Sequence, residues 1–273
     1  MAGFSSYDDM INEISVNGKI YEKQFGKVST TTEAANVPHS LWLAPGSLGA
    51  GANPAATPGT QYDDASGSMF FADQASDFKH LITFGAFSNV AGTLTLYDRL
   101  VGVSGISVAS TGNKTINSAA LPRYTGTDSA GVECWLEVTT ATTTTAPVVS
   151  LNSYTDQDGN TGQSGGTTTF PAAATNVDVM VGPMLLAAGD TGIRSIEVGL
   201  NVGTAAAAGV VNVLLLRRLA SINVLPGFWK EMDLVMGLPG MPRVYDGASL
   251  ALMFTAISSS IVTIWGTLRV TYG

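Results

Sequence analysis

The sequence predicts an all-β protein: a β-sandwich or jelly-roll-like module built from two duplicated four-stranded units, with an N-terminal arm that carries a short helix. Three observations predict it. Apolar and polar residues alternate with a period of two, the signature of strands that bury one face and wet the other. Gly, Ala and Thr abound while charged residues are scarce. And the chain carries one pattern twice. Residues 78–156 hold "GTLTLYDRL", "LPRYTGTDSAGVECWLEVTT" and "VVSLNSYTDQDG", and residues 193–272 hold "GVVNVLLLRRL", "MPRVYDGASLALMFTA" and "VTIWGTLRVTY". Arg99-Leu100 answers to Arg218-Leu219 at an offset of 119 residues, and Pro122-Arg123 to Pro242-Arg243 at 120. Self-similarity at a nearly fixed period outranks local readings. Four strands alone leave an apolar face exposed, so the two copies should close on each other or on a neighbouring chain.

Taken in order, Ser6 is placed to cap a helix with Asp8 and Asp9 in its first turn. Tyr7, Met10, Ile11 and Ile14 then share one helical face, and Gly18 is the expected stop. A helix this short is marginal alone. It is either a strut packed on its own domain or an arm docked on a neighbour. Lys19, Lys23 and Lys27 follow at intervals of four with Tyr21 and Phe25 between them, and on a strand all five share a face. Residues 44–60 are rich in Gly, Pro and Ala and predict an irregular loop. The expected division is an arm over 1–60 and a β domain over 61–273, with repeats at 78–156 and 193–272. Residues 1–35 are expected to serve assembly more than folding.

Within the β domain, 69–72 and 78–88 read as strands, 159–169 as turn-rich, 177–181 as a strand and 188–192 as a turn. Ile196, Val198, Leu200 and Val202 alternate strictly with polar or small residues. Residues 210–219 are apolar at both parities and should be covered on both faces. "GFWKEMDLVMGL" is the candidate second helix. Strands at 249–257 and 261–272 close the chain. In the last, Val262, Ile264, Leu268, Val270 and Tyr272 share one side, with Trp265 among the polar residues of the other.

Composition limits the functions. Charged residues make up 12% of the chain, against roughly 25% in an average soluble domain, so much of the surface is expected to meet other protein. The net charge is −8, with no Lys or Arg between Lys27 and Lys79. Direct nucleic-acid binding needs a basic face, and none is visible. Cys134, the one cysteine, alternates with Val132 and Leu136 and reads as a small core residue. The opening "MAGFSSYDDM" lacks the basic start and apolar core of a signal peptide, and no apolar run reaches the roughly 18–20 residues of a membrane helix. Synthesis in the cytoplasm is expected.

Several motifs imitate chemistry. Gly162-Gln-Ser-Gly-Gly166 fits G-x-S-x-G, yet a turn precedes Ser164 and both histidines, His39 and His80, come earlier than the hydrolase order requires. Asp190-Thr-Gly192 has the aspartic-protease form without the second triplet needed to share a proton. Asp156, Asp158 and Asn160 alternate around Gly159 as calcium ligands can, but no downstream bidentate acid follows. Two histidines and one cysteine do not make a structural zinc site. Arg123 and Arg243 could each hold an anion, although pairing with a nearby acid or carbonyl is the favoured reading. No catalytic residue and no cofactor are therefore assigned.

At "SSYDDMINEI", "LPRYTGTDSAG" and "GDTGIRS" the chain resembles virion structural proteins of tailed bacteriophages, above all the auxiliary class that decorates or cements the capsid shell. The resemblance implies a β-sandwich or jelly-roll-like module, often trimeric, bound to the outer shell between major capsid proteins. It implies the major capsid protein and further copies of the chain as partners, with no nucleic acid or membrane, and the virion as location. Interface candidates are Tyr7, Met10, Ile11, Ile14, Lys19, Lys23 and Lys27. Two alternatives stand beside it. One is a tail-tube or head–tail component. The other is a carbohydrate-binding β module, which would use exposed aromatics among Trp42, Trp135, Trp229 and Trp265.

Overall fold

A computed structural model describes residues 4–64, 67–143, 145–171, 174, 176–233, 235 and 241–273. One helix, α1 (Tyr7–Ser15), opens the chain. The strands follow as β1 (Ile20–Val28), β2 (Pro38–Ser40), β3 (Thr60–Gln61), β4 (Lys79–Ser88), β5 (Gly92–Ser107), β6 (Gly112–Thr115), β7 (Val132–Thr140) and β8 (Val148–Asp156). The second half supplies β9 (Gln163–Thr169), β10 (Met180–Val181), β11 (Ile193–Thr204), β12 (Val210–Val224), β13 (Lys230–Asp233), β14 (Arg243–Val244), β15 (Ser249–Ala256) and β16 (Thr263–Tyr272).

A central sheet runs β10-β7-β12-β5-β15-β2, with the short β3 also on β5. Two outer sheets run β1-β16-β4-β13 and β9-β8-β11-β6. These orders obey one rule. Exchanging β1 with β9, β2 with β10, β4 with β11, β5 with β12, β6 with β13, β7 with β15 and β8 with β16 turns the central path into its own reverse and each outer path into the other. The repeated segments thus share one strand order. Their longest strands, β5 and β12, pair antiparallel from Gly92↔Val224 to Ser107↔Val210 at the middle of the central sheet. Each segment also lends a strand to the other's half, since β7 pairs β12 and β15 pairs β5.

Burial explains why this closes. One core joins Val103, Leu136 and Leu215 of the central sheet to Leu151, Ile196 and Leu200 of β8 and β11. A second joins Leu96, Leu252 and Phe254 to Phe84, Ile264 and Leu268. The alternate residues Leu214 and Leu216 belong to a third cluster, with Trp42, Tyr62, Tyr97, Trp135 and Met253. Residues 211–216 are buried without a break, as their apolar character at both parities requires. Cys134 is fully enclosed, and burial holds its thiol protonated.

The structure departs from the sequence reading in several places, the first being 159–169, expected to be turn-rich, where Gln163–Thr169 forms β9 against β8. β1 is part of the β domain and not of an arm, because it pairs with β16 from Ile20↔Thr271 to Val28↔Thr263 and buries Phe25. Residues 41–44 are core as well, so no boundary falls at 60. The candidate second helix is the edge strand β13 over Lys230–Asp233; residues 234 and 236–240 lie outside the described ones. Finally, β11 does not alternate strictly. A register shift between Ile196 and Gly199 turns Val198 to solvent at 45% exposure, as a β-bulge does. Gly199 is needed there, since a Cβ would lie 1.9 Å from the Lys114 carbonyl oxygen.

Candidate functional site

The N-terminal candidates divide. Ser6 accepts the Asp9 amide and caps α1. Met10 is buried and Ile14 half-buried against the chain's own surface, whereas Tyr7 and Ile11 are 59% and 56% exposed and Val16 joins them. Lys19 bridges Glu13 at 2.9 Å and Asp77 at 3.0 Å. Lys23 lies 5.1 Å from the Phe70 ring centre. Lys27 is no surface lysine: it is buried and donates to the Ala44 and Gly49 carbonyls at 3.0 and 2.6 Å. Burial pushes its ammonium down to about 8. It fastens the glycine-rich loop to β1, so its role is internal.

The loop of Asp156, Asp158 and Asn160, the weak calcium candidate, is closed by its own donors. Asp156 accepts the Asp158 and Asn160 amides at 2.8 and 2.9 Å and the Asn160 side-chain amide at 2.7 Å. These bonds hold the loop closed on Asp156. Among the described residues no three of His, Cys, Asp and Glu converge as metal ligands do. Ser164 lies exposed on β9. His39 accepts the Ala34 amide, and His80 packs 5.8 Å from Phe4. Asp190 has a partner that sequence reasoning missed, the Tyr154 hydroxyl at 2.5 Å. The Tyr154 oxygen also accepts the Ala187 amide at 2.7 Å, so Asp190 fastens a turn.

Two polar groups are buried where the central sheet turns between the cores. Arg123 donates to both oxygens of Asp98, to the Tyr62 carbonyl at 2.8 Å and to the Arg99 carbonyl at 2.7 Å. Arg99 stacks on Tyr62 and Trp42 and donates to Ser68. Elsewhere, Glu137 accepts Ser40 and Asn212. Nearby Glu33 is 1% exposed, and burial followed by the charge of Asp178 pushes its carboxyl up to about 8. No sequence signal marked Glu33.

Arg243 behaves differently from Arg123. Its guanidinium stacks 3.7 Å from the Phe78 ring centre and 4.1 Å from Tyr245. It borders a cavity of about 480 Å³ shared with Tyr124, Asp128, Arg217, Arg218 and Tyr245.

A second surface lies on the outer sheet. Trp265 and Phe87 are cross-strand partners on β16 and β4. Trp229 packs 6.5 Å from Phe87, and Phe228 and Leu225 are exposed beside them in sequence. Both tryptophan rings press close on a glycine: a Cβ at Gly26 would meet Trp265 at 2.4 Å, and one at Gly85 would meet Trp229 at 2.6 Å. Between them is a groove of about 320 Å³ that Gln24, Phe25 and Thr267 also line. The sequence hint was Trp265 on the polar side of the last strand. Trp42 and Trp135, by contrast, are interior.

No family model matches the chain, and no curated protein sequence matches it. Among solved structures, the crystal structure of the infectious bursal disease virus VP2 subviral particle aligns at 9% identity, over 96% of this chain and 86% of that one, with a TM-score of 0.16. A score that low carries no argument about this chain.

Proposed function

We propose that the chain is a non-enzymatic virion structural protein that decorates or cements a phage capsid shell, as a homo-oligomer contacting the major capsid protein. One observation carries the reading. Large apolar side chains are exposed in groups on the outer β1-β16-β4-β13 sheet and its flanking helix: Tyr7 and Ile11 on α1 with Val16 at its C-cap, and Phe87, Phe228, Trp229 and Trp265 beyond. On a chain with 12% charged residues, grouped apolar exposure marks surfaces that other protein covers. The test is to purify particles from the source that makes the chain and image them. The chain should be found at regular sites on the outer shell, and Trp229→Ala with Trp265→Ala should release it. Finding it free of particles, or in the tail, refutes the decoration role; the tail result supports the head–tail alternative.

The groove between Trp229 and Trp265 favours a second reading, a carbohydrate-binding module. Two flat aromatics beside Gln24 and Thr267 suit a sugar ring stacked on one face and hydrogen-bonded at its edge. Glycan-array binding lost in Trp265→Ala would favour it over shell decoration, and silence across the array would remove it.

A further inference from the structure

We propose that the cavity bordered by Arg217 and Arg243 is an anion site that takes a carboxylate. The argument is an internal comparison. Asp98 on β5 and Arg217 on β12 are direct cross-strand partners. Asp98 also faces Leu250 of β15, and Arg217 faces Val132 of β7. Under the exchange that relates the two halves they are therefore counterparts. Arg123 and Arg243 are counterparts too, each following a proline ahead of β7 or β15. In one half Arg123 lies against Asp98, which neutralises it with two charge-assisted hydrogen bonds. In the other half the position of Asp98 is held by Arg217, so Arg243 shares its cavity with a second cation where its counterpart meets a carboxylate.

The surroundings fit a missing anion. No carboxylate forms an ion pair with Arg217 or Arg243 among the described residues. Buried Arg217 Nη1 and Arg243 Nε have no hydrogen-bond partner there. Asp128, the one acid of the lining among the described residues, accepts the Tyr245 hydroxyl at 3.3 Å. Tyr124 and Tyr245 meet edge to face at 4.5 Å and back the two arginines. Gly131 leaves room for Arg217, since a Cβ would fall 2.4 Å from Nη1. The guanidinium fork matches a carboxylate bidentately. The carboxylate can belong to a free small acid or to an Asp or Glu side chain of another protein.

The experiment titrates the full-length protein with citrate and with tetraglutamate, against sodium chloride of equal ionic strength. Saturable binding and a raised melting temperature with citrate alone identify a free acid, and tetraglutamate displacing citrate identifies a side chain; either supports the site. Arg217→Gln and Arg243→Gln should each weaken binding tenfold or more, while Arg269→Gln, outside the cavity, should not. The proposal is overturned if neither probe binds the unaltered protein beyond the salt control, a result that needs no variant to fold. It is equally overturned if binding persists at full strength in both cavity variants.

Discussion

Replacing Glu33 by Gln should change how stability depends on pH. The folded carboxyl titrates at about 8 instead of 4.5 because it is buried and faces Asp178. The native state therefore keeps a proton that the unfolded chain releases. Glu33 contributes its full stability below about 4.5, and that contribution falls as pH rises towards about 8. His39 has the opposite sign, because burial lowers it from 6.5 to about 4, so its contribution falls as pH drops below 6.5. The two oppose each other in mildly acid solution, and between 6.5 and 8 His39 no longer offsets Glu33. At about 1.4 kcal/mol per pH unit, that window is worth roughly 2 kcal/mol, or roughly 4–8 °C in melting temperature for a chain of this size. Glu137 and Asp178 are also raised, chiefly by burial, and remain in both proteins. Urea unfolding of wild type and Glu33→Gln at pH 6.5 and 8 measures it. The wild type should lose about 2 kcal/mol more than the variant. Parallel losses would refute the burial argument.

Removing residues 2–18 should cost about 1.5–3 kcal/mol, the value of the Met10 contact, and leave a cooperative melting transition. Removing 2–35 strips β1 from the sheet, and circular dichroism should show an unfolded or aggregated product. Asp98→Ala strands the buried Arg123 cation and should destabilise by about 3–5 kcal/mol in chemical denaturation; a loss under 1 kcal/mol would mean the pair is dispensable. Trp265→Ala uncovers Gly26 without opening a core, so the unfolding midpoint should move by less than about 1 kcal/mol, while sedimentation reports any lost self-association.

The period-two pattern made the long strands legible because each has one face on a core. In β16 the buried Ile264, Leu268 and Val270 alternate with half-exposed Thr267 and Arg269, as the sequence reads. Partner choice was not legible, since pairing β5 with β12 across two halves of the chain depends on how both outer sheets close. β13 escaped because it is four residues long and carries Lys230, Glu231 and Asp233, the charged style of an edge strand. Lys27 misled because its spacing matched Lys19 and Lys23, and only the Ala44–Gly49 carbonyls reveal that it points inward. For the cavity, Pro242-Arg243 was visible as an anion candidate. The approach of Arg217 was not, because it depends on the cross-strand register.

The shared central strands also decide what cutting this protein would do. Because β12 rests on β7 and β5 on β15, a break between residues 157 and 192 separates no self-sufficient pieces. Each fragment would carry part of three unfinished sheets. Two copies of one fragment would have to pair β5 with β5, or β12 with β12, in place of the β5–β12 ladder, which sets Asp98 against Asp98 or Arg217 against Arg217 where the intact chain pairs one with the other. The wiring is that of a dimer written into one polypeptide, and a nicked chain should hold together until both lobes let go at once.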